Sequence, residues 1–394
     1  MANYDYEIVN GRKIRVRSKE TVSEIDKNGY FRRQPNHFTT PFGDGENDLK
    51  AEGNKRYRLV WAKLCHWSNR AAIVRELEGL EDQISVNMVE HAPHEKNLGW
   101  EYVYNENNID PVLGDQFLSE AYYRADDDYQ GRTTVPALID TTTGKVVNND
   151  YNWLTTYFEV NFRPWHKKGA PELYPVELRE EIDKMNLWLF DNINNAVYRS
   201  SFSRSNEGHF DGVNTFYAAM DRLEKRLETN RFLFGDYVTD SDIRLYVTLA
   251  RLDIRYTAQL GETKRPLYTY KNLWGYAKEL WEIPAFAHHT DFAAIIRQGR
   301  IEGEKDGFRA STHYDLALPK IDWDAQWKVS TERAYLSSDP THPIYLGNNR
   351  RFDIDPTWYD LGAESPKKEE KETPPSCGCL LYTSPSPRDV EESR

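Results

Sequence analysis

The pattern of apolar and polar positions in the first half of the chain predicts alternating strands and helices. Short β-prone runs of apolar residues lie at 57–62, 84–89 and 134–140, and an apolar pattern with helical spacing separates the first two. A strand, a helix and a second strand in this order favour a parallel β-α-β unit. A hairpin turn containing Gly144 follows the third run, and a closing helix is predicted over 149–158.

The second half of the chain changes to a helical pattern. Apolar residues recur three or four positions apart over 175–197 and over 212–227, which predicts two long amphipathic helices. Thr239 and Asp242 form a reciprocal capping pair at the start of a third, buried helix. A fourth helix is predicted to stop near Pro284. The expected fold class is therefore α/β followed by all-α.

These patterns divide the chain into five segments. The segments are an extended N-terminal arm at 1–55, an α/β domain at 56–162, a helical domain at 173–299, an aromatic-rich extension at 300–363 and a disordered or artefactual tail at 364–394. We expect Trp and Tyr residues of the extension to anchor it to the body. The tail is charged and Pro-rich, which predicts disorder, and its end resembles translated sequencing-adapter sequence.

The charge balance and the lack of long apolar runs narrow the class of function. The chain has 51 Lys and Arg residues against 63 Asp and Glu residues, a formal net charge of −12, which disfavours a general nucleic-acid binder. No run approaches the ~18 apolar residues of a membrane helix, and residues 1–10 lack the pattern of a secretory signal. We therefore expect a cytoplasmic protein with no nucleic-acid partner and no membrane partner.

The three cysteines are too few for a disulfide framework in a domain of this size. Cys377 and Cys379 lie in the predicted tail, and two thiols with no second pair nearby do not make a tetrahedral zinc site. We therefore predict no metal centre. Cys65 is left as the only thiol of the predicted folded body, where a lone cysteine is by default a small buried hydrophobe.

The position of Cys65 favours a reactive thiol over that default. Cys65 lies at the predicted turn from strand to helix, where unpaired amides and the positive end of the helix dipole stabilise a thiolate. His66 and Arg70 add nearby groups that are positive or can become positive, which act in the same direction. The alternative is a buried structural cysteine beside polar surface residues.

Several motifs in a single order carry a resemblance to a known family. The strand-Cys-helix unit, Thr134-Val135-Pro136, the Asn149-Asp150 turn and the helical domain that follows resemble a thioredoxin-fold glutathione transferase. The chain is similar to the xi class, the glutathionyl-hydroquinone reductases, from about residue 31 to residue 297. The motifs that resemble this class are ELREEID (177–183), NNAVY (194–198), LFGD (233–236), DIRL (242–245) and NLWGY (272–276).

The resemblance implies a thioredoxin-like domain, a helical C-terminal domain and glutathione as co-substrate. The family nucleophile lies in a Cys-Pro-Trp-Ala-His-Arg motif, which Cys65, Trp67 and Arg70 match. The Cys65 thiolate is then expected to attack the sulfur of an aromatic glutathione conjugate, and a second glutathione to release the mixed disulfide. Members of the family pair through their helical domains, so a homodimer is expected.

The resemblance also carries binding residues onto this chain. Arg132 suits a carboxylate, the backbone of Val135 suits the cysteinyl amide, and Tyr198 suits a phenolic oxygen. Without the resemblance, these side chains would be taken for surface or packing residues. The full set is Trp100, Arg132, Val135 and Asp150 for glutathione, and Tyr198 and Tyr256 for the aromatic acceptor.

The chain departs from the family pattern in the loop of the nucleophile and in both pockets. His66 replaces the Pro of the motif, while Ser68 and Asn69 replace its Ala and His, so the loop is more polar. Tyr151 stands where the family has a small hydroxyl that meets the α-carboxylate of glutathione. A second tyrosine of the acceptor pocket falls at Gly299, which makes Tyr256 our candidate to replace it.

Two other functions stay open at this point. The altered loop and Tyr151 fit a noncatalytic binding protein that keeps the fold, which would bind ligand without turnover. A Ser-type or Tyr-type conjugating transferase would use Ser68, Tyr57 or another hydroxyl to activate glutathione, and its activity would survive the loss of Cys65.

Overall fold

The computed structural model describes most of the two predicted domains and parts of the segments on either side of them. The described residues are 4–16, 23–91, 98–256, 259–260, 265–296, 322–330, 332–339, 341–345 and 351–355. The predicted tail and most of the aromatic-rich extension lie outside these residues. None of the helices within the described ranges has the length and apolarity needed to cross a bilayer.

The N-terminal arm contains a hairpin that the sequence pattern does not predict. Strand β1 (Tyr6–Val9) pairs antiparallel with β2 (Arg12–Arg15). The hairpin lies against the α/β domain because Ile14 is buried in a small apolar cluster with Leu98 and Phe117. Part of the arm is therefore folded onto the body.

The predicted strand-helix-strand unit is present. Strand β3 (Tyr57–Trp61) leads into helix α1 (His66–Leu77), and β4 (Ile84–Met88) returns parallel to β3. All residues of β3 are buried, as expected for the central strand of a sheet that is covered on both faces.

The other elements of this domain are β5 (Glu90–His91), β6 (Trp100–Glu101), α2 (Leu118–Ala125), β7 (Ala137–Asp140), β8 (Lys145–Asn148) and α3 (Leu154–Val160). Strands β7 and β8 are antiparallel to their neighbours and complete the sheet, in the order β4-β3-β7-β8. Strand β7 begins after Pro136, whose bond to Val135 is cis. Helix α3 begins later than predicted, because the side chain of Asp150 accepts from the amide of Asn152 and holds that segment in a turn.

The second domain is helical, as predicted, but its helix boundaries differ from the prediction. Its helices, with one in the extension, are α4 (Arg179–Leu189), α5 (Ala196–Phe202), α6 (Asn206–Arg226), α7 (Asp240–Arg251), α8 (Lys271–Trp281), α9 (Pro284–His288) and α10 (Trp323–Trp327). Helix α6 starts earlier than predicted, because the hydroxyl of Ser205 accepts from the amide of Gly208 at 3.2 Å and caps it.

The prediction of a single helix over 175–197 is wrong. A π-helical turn at Phe190–Asn194 separates α4 from α5. This turn directs the side-chain amide of Asn194 to α7, where it donates to the carbonyl of Arg244 at 2.9 Å and to the hydroxyl of Thr248 at 2.7 Å. These hydrogen bonds join parts of the chain that are distant in sequence, so the spacing of apolar residues does not predict the π-helical turn.

The predicted capping pair at the start of α7 is present, and its carboxylate, Asp242, is buried. Asp242 accepts from the amide of Thr239 at 2.8 Å and from its hydroxyl at 3.0 Å. The same carboxylate accepts from the amide of Leu233 and the hydroxyl of Tyr276. Burial raises the pKa of Asp242 to about 6.

A second buried carboxylate joins the two domains. Asp240 is fully buried and accepts from Arg244 at 2.7 Å, from Asn186 at 2.9 Å and from Thr155 at 3.2 Å. Thr155 belongs to α3 of the first domain, whereas the other two donors lie on helices of the second. Burial opposes ionisation, but the guanidinium groups of Arg244 and Arg70 bring the pKa of Asp240 below its usual value.

The described part of the extension is only partly anchored. Trp327 is buried, and its ring centroid lies 5.1 Å from that of Trp274 and 5.5 Å from that of Phe292. Tyr335 is 74% exposed, so the expectation that it acts as an aromatic anchor is wrong.

We expect the substitution Glu76→Gln to weaken the dependence of the free energy of unfolding on pH at acid pH. Glu76 contacts His289 at 3.0 Å and His288 at 2.8 Å, and these hydrogen bonds lower the pKa of its carboxyl to about 2, against about 4.3 in an unfolded chain. The pair therefore stabilises the folded state above about pH 4.3, and this gain is lost as the pH falls towards 2. Urea unfolding between pH 2 and pH 6 measures it. The wild-type and variant curves should converge at low pH, and parallel curves would contradict the assignment.

Candidate active site

A cavity of about 810 Å³ lies beside the start of α1. Its size falls within the roughly 300–1,000 Å³ of small-molecule sites. The arm, the first turn of α1, the loop before β7 and the helices of the second domain all contribute to its wall. The predicted site residues on this wall are Cys65, Trp100, Arg132, Val135 and Tyr198.

Cys65 occupies the position that the sequence predicts, immediately before the first residue of α1. It is the N-cap residue, and its side chain makes no capping hydrogen bond. Its Sγ lies 3.6 Å from the carbonyl oxygen of Val135, and the residue is 9% exposed, at the cavity wall. The sulfur therefore lies beside the free amides at the positive dipole end of a twelve-residue helix.

The expectation that His66 adds positive charge beside the thiol is wrong. His66 is 1% exposed, and its Nδ1 lies 3.1 Å from the hydroxyl of Tyr256 and 3.3 Å from that of Thr248. Burial, followed by the charge of Arg251, lowers the pKa of His66 well below its usual value. The ring is therefore neutral at pH 7.

Arg70 also has a different place from the one expected. Its side chain is buried between the domains and donates to the carbonyl of Tyr151. Burial lowers the pKa of Arg70 to about 9, so the group stays charged at pH 7, and the carboxylates that favour its charge are those of Asp240, Glu159 and Asp150. The residue does not line the cavity.

Three of the four residues expected to bind glutathione line the cavity together with Cys65. The indole of Trp100 donates to the carbonyl of Thr133 at 3.1 Å, which fixes the orientation of the ring. The guanidinium of Arg132 makes a two-point ion pair with Glu24 of the arm, at 2.8 Å and 2.9 Å.

Asp150, the fourth, does not lie on the cavity wall. Its carboxylate accepts from the side chain of Asn36 at 2.8 Å and from the amide of Asn152 at 3.0 Å, and the residue is 8% exposed. The arm therefore contacts the carboxylate that the resemblance assigns to the ammonium group of glutathione.

Aromatic rings surround the side of the cavity next to Tyr198. The ring of Tyr151 lies 4.7 Å from that of Trp67, and Tyr198 completes the cluster. Tyr256 is 1% exposed and lies behind Tyr198, to which its hydroxyl is hydrogen-bonded. Burial raises the pKa of Tyr198, so its hydroxyl is neutral at pH 7 and can donate to a phenolic oxygen.

The hydroxyls considered as alternative nucleophiles do not reach the cavity. Tyr57 is 3% exposed and donates to the carbonyl of Lys50 at 2.7 Å. Ser68 is fully buried within α1. Neither residue lines the cavity that contains Cys65.

The arm contributes to the cavity in a way that the sequence pattern does not predict. Glu24, Phe31 and Arg33 line the cavity, although the segment shows no apolar periodicity. Its one local signal is Gly29, which has a φ of +81° and lies so close to Ser205 that an added Cβ would be 2.9 Å from that side chain. The close approach lets the Gly29 carbonyl accept from the amide of Arg204 at 2.7 Å.

This chain is similar to known glutathione transferases and to a glutathionyl-hydroquinone reductase. The family profile described as "Glutathione S-transferase, C-terminal domain" matches residues 197–279. "Glutathione S-transferase omega-like 2" of Schizosaccharomyces pombe is 35% identical over 280 residues, covering 68% of this chain and 88% of the relative. "Glutathionyl-hydroquinone reductase YqjG" of Escherichia coli is 33% identical over 240 residues, covering 61% of this chain and 73% of the relative.

Solved structures have the same architecture. The glutathione-S-transferase Xi from Phanerochaete chrysosporium superposes with a TM-score of 0.63 at 33% identity, covering 68% of this chain and 87% of that chain. The glutathione-bound structure of YqjG superposes with a TM-score of 0.59 at 31% identity, covering 68% and 87%. The predicted fold class, a thioredoxin-like domain followed by a helical domain, is confirmed.

Proposed function

The chain belongs to the xi-class glutathione transferases, the family of the glutathionyl-hydroquinone reductases, and we propose that Cys65 is the nucleophile of its glutathione-dependent reaction. The observation that carries the proposal is the position of the Cys65 sulfur, at the N-terminus of α1 and on the wall of a cavity that also holds Trp100, Arg132 and Val135. The noncatalytic function and the hydroxyl nucleophile are not favoured, since the relatives are named as enzymes and Ser68 lies away from the cavity.

The proposed reaction has two thiol-exchange steps. The Cys65 thiolate first attacks the glutathionyl sulfur of a glutathionyl-hydroquinone. A sulfur–sulfur bond forms, the sulfur–aryl carbon bond breaks, and its electron pair takes a proton from solvent to give the free hydroquinone. The thiolate of glutathione then attacks the glutathionyl sulfur of the mixed disulfide, which releases oxidised glutathione and restores Cys65. The aryl carbon is reduced, and two glutathionyl sulfurs are oxidised to the disulfide.

Other residues of the cavity hold the substrate in this proposal. Arg132 pairs with a carboxylate of glutathione, the backbone of Val135 pairs with its cysteinyl amide, and Trp100 packs on the tripeptide. Tyr198 donates to a phenolic oxygen of the aromatic group, and Tyr256 holds the Tyr198 hydroxyl in place. This assignment is supported by the 3.6 Å distance from Cys65 to the Val135 carbonyl, which brings the tripeptide site next to the sulfur.

Mass spectrometry of a single turnover tests the proposal. The protein is mixed with an equimolar glutathionyl-hydroquinone and no free glutathione. We expect one glutathionyl group on Cys65, release of free hydroquinone, and recovery of the free thiol with oxidised glutathione when glutathione is added. Intact conjugate with an unmodified Cys65 would refute the proposed reaction.

We expect Glu24→Gln to tighten the binding of glutathione. Glu24 contacts the Nε and Nη2 atoms of Arg132, at 2.8 Å and 2.9 Å, so its charge competes with an incoming carboxylate. Removing this competing charge should lower the KM for glutathione by about two- to tenfold, as measured by steady-state kinetics.

Glu120→Gln is the matched control. Glu120 pairs with Arg12 of the arm at 3.0 Å, away from the cavity wall, and its loss should leave this KM unchanged. A higher KM in Glu24→Gln would mean that Glu24 itself helps to bind glutathione.

We also propose that the protein acts as a homodimer in the cytoplasm, as the family resemblance implies. The second exchange step consumes reduced glutathione, which a reducing compartment supplies. Light scattering of the purified protein should give twice the mass of one chain, and the mass of a single chain would contradict the dimer.

A further inference from the structure

The cavity wall carries an excess of positive charge, although the whole chain has a formal net charge of −12. Five arginines line it, and the carboxylate on the described part of the wall belongs to Glu24. Arg15 pairs with Asp127, and Arg132 pairs with Glu24. The arginines are Arg15, Arg33, Arg132, Arg204 and Arg255.

Arg33 lies within the aromatic cluster beside Cys65. Its guanidinium carbon is 4.5 Å from the ring centroid of Tyr198, 5.1 Å from that of Trp67 and 5.7 Å from that of Tyr151. Its Nε donates to the side-chain oxygen of Asn195 at 2.9 Å. The rings and this hydrogen bond fix the guanidinium at the part of the cavity suited to an aromatic group.

One end of the Arg33 guanidinium has no hydrogen-bond acceptor within the described ranges. Its Nη2 is buried and makes no hydrogen bond to the described residues. A buried donor without an acceptor destabilises the protein. A ligand oxygen placed there would therefore be held strongly.

Arg255 adds a second positive charge beside the same rings. It lines the cavity, and its guanidinium carbon lies 5.9 Å from the ring centroid of Tyr256, which is hydrogen-bonded to Tyr198. The buried Nη2 of Arg33, which has no acceptor among the described residues, thus favours a ligand with a permanent negative charge on its ring.

We propose that the aromatic group of the substrate is an acid, and that its ring carboxylate pairs with Arg33. This inference rests on the proposed function, because it assigns the aromatic part of a glutathione conjugate to the cluster around Arg33. Arg132 remains the partner of a glutathione carboxylate. The substrate class is therefore the glutathione conjugates of hydroxylated aromatic acids.

Two conjugates that differ by one group test this proposal. They are the glutathionyl conjugates of hydroquinone and of gentisate, which is hydroquinone with one ring carboxylate. We expect the wild-type protein to prefer the gentisate conjugate by about tenfold or more in kcat/KM, the range for a hydrogen-bonded charge. Arg33→Gln should remove most of this preference, and Arg33→Lys, which keeps the charge without the two-point geometry, should keep part of it.

Arg132→Gln removes the same charge from another part of the wall and serves as the matched control. It should lower kcat/KM for the two conjugates by a common factor and leave their ratio intact. If Arg33→Gln lowered kcat/KM for both conjugates by the same factor, Arg33 would be assigned to glutathione and the proposal would be overturned. A wild-type protein with equal kcat/KM for the two conjugates would also overturn it.

Binding separates this proposal from the proposed function. Calorimetry with a Cys65→Ala background measures the affinity for both conjugates in the absence of reduction. The inference is supported if the Cys65→Ala protein binds the gentisate conjugate more tightly than the hydroquinone conjugate, and if adding Arg33→Gln removes this difference in affinity. This holds even if the wild-type protein reduces neither conjugate. Equal affinities would refute it, whatever the turnover.

Discussion

Replacing Cys65 with alanine is expected to lower kcat/KM for a glutathionyl-hydroquinone at least about a thousandfold. The first step of the proposed reaction has no other protein nucleophile, and the described wall of the cavity offers no second thiol. Cys65→Ser should be similarly inactive, because a serine hydroxyl at the same helix start stays protonated at pH 7. Steady-state assays of hydroquinone release measure the effect.

Ser68→Ala is the matched control for this pair of variants. Ser68 lies three positions further along α1, is fully buried and does not line the cavity, so its loss should leave turnover intact. The fold of Cys65→Ala is checked by thermal unfolding and by its affinity for glutathione. A folded Cys65→Ala variant with substantial activity would show that another group performs the attack.

The substitution Asp240→Ala is expected to lower the free energy of unfolding by about 3–5 kcal/mol. The buried carboxylate accepts from Arg244, Asn186 and Thr155, and its charge balances two guanidinium groups at the domain interface. Alanine leaves these donors without a partner in a site that excludes water, which is the costly way to break a buried pair. Urea unfolding at pH 7 measures the loss.

A solvent-exposed ion pair serves as the control for the Asp240→Ala variant. Asp221 contacts Arg265 at 2.6 Å, but the two side chains are 53% and 49% exposed. Asp221→Ala should therefore cost less than about 1 kcal/mol. Similar losses in the two variants would mean that the buried network contributes no more than a surface ion pair.

The sequence predicts the parts of the fold that depend on local periodicity. The strand, helix and strand around Cys65 and the start of α7 follow from apolar spacing and from one capping pair, and each is observed. The break at Phe190–Asn194 is missed because its cause is the contact from Asn194 to Thr248, which no short window contains.

The site is predicted unevenly for a similar reason. Cys65, Trp100, Arg132, Val135 and Tyr198 meet at one cavity, a grouping that came from the family resemblance and not from the spacing of these residues. The charge of His66 is misjudged because burial decides its protonation, and a sequence does not report burial. The role of Arg33 is missed because its segment has no regular pattern.

The arm carries Arg33, the group proposed to choose the aromatic acid, at a place in the chain apart from the group that attacks the substrate. Arg33 lies on a segment outside both domains, whereas the sulfur belongs to the start of α1. Substrate preference can then diverge through exchange of this segment, while the chemical step and the two domain cores are inherited without change. Grafting the arm of one family member onto another becomes a direct route to new selectivity.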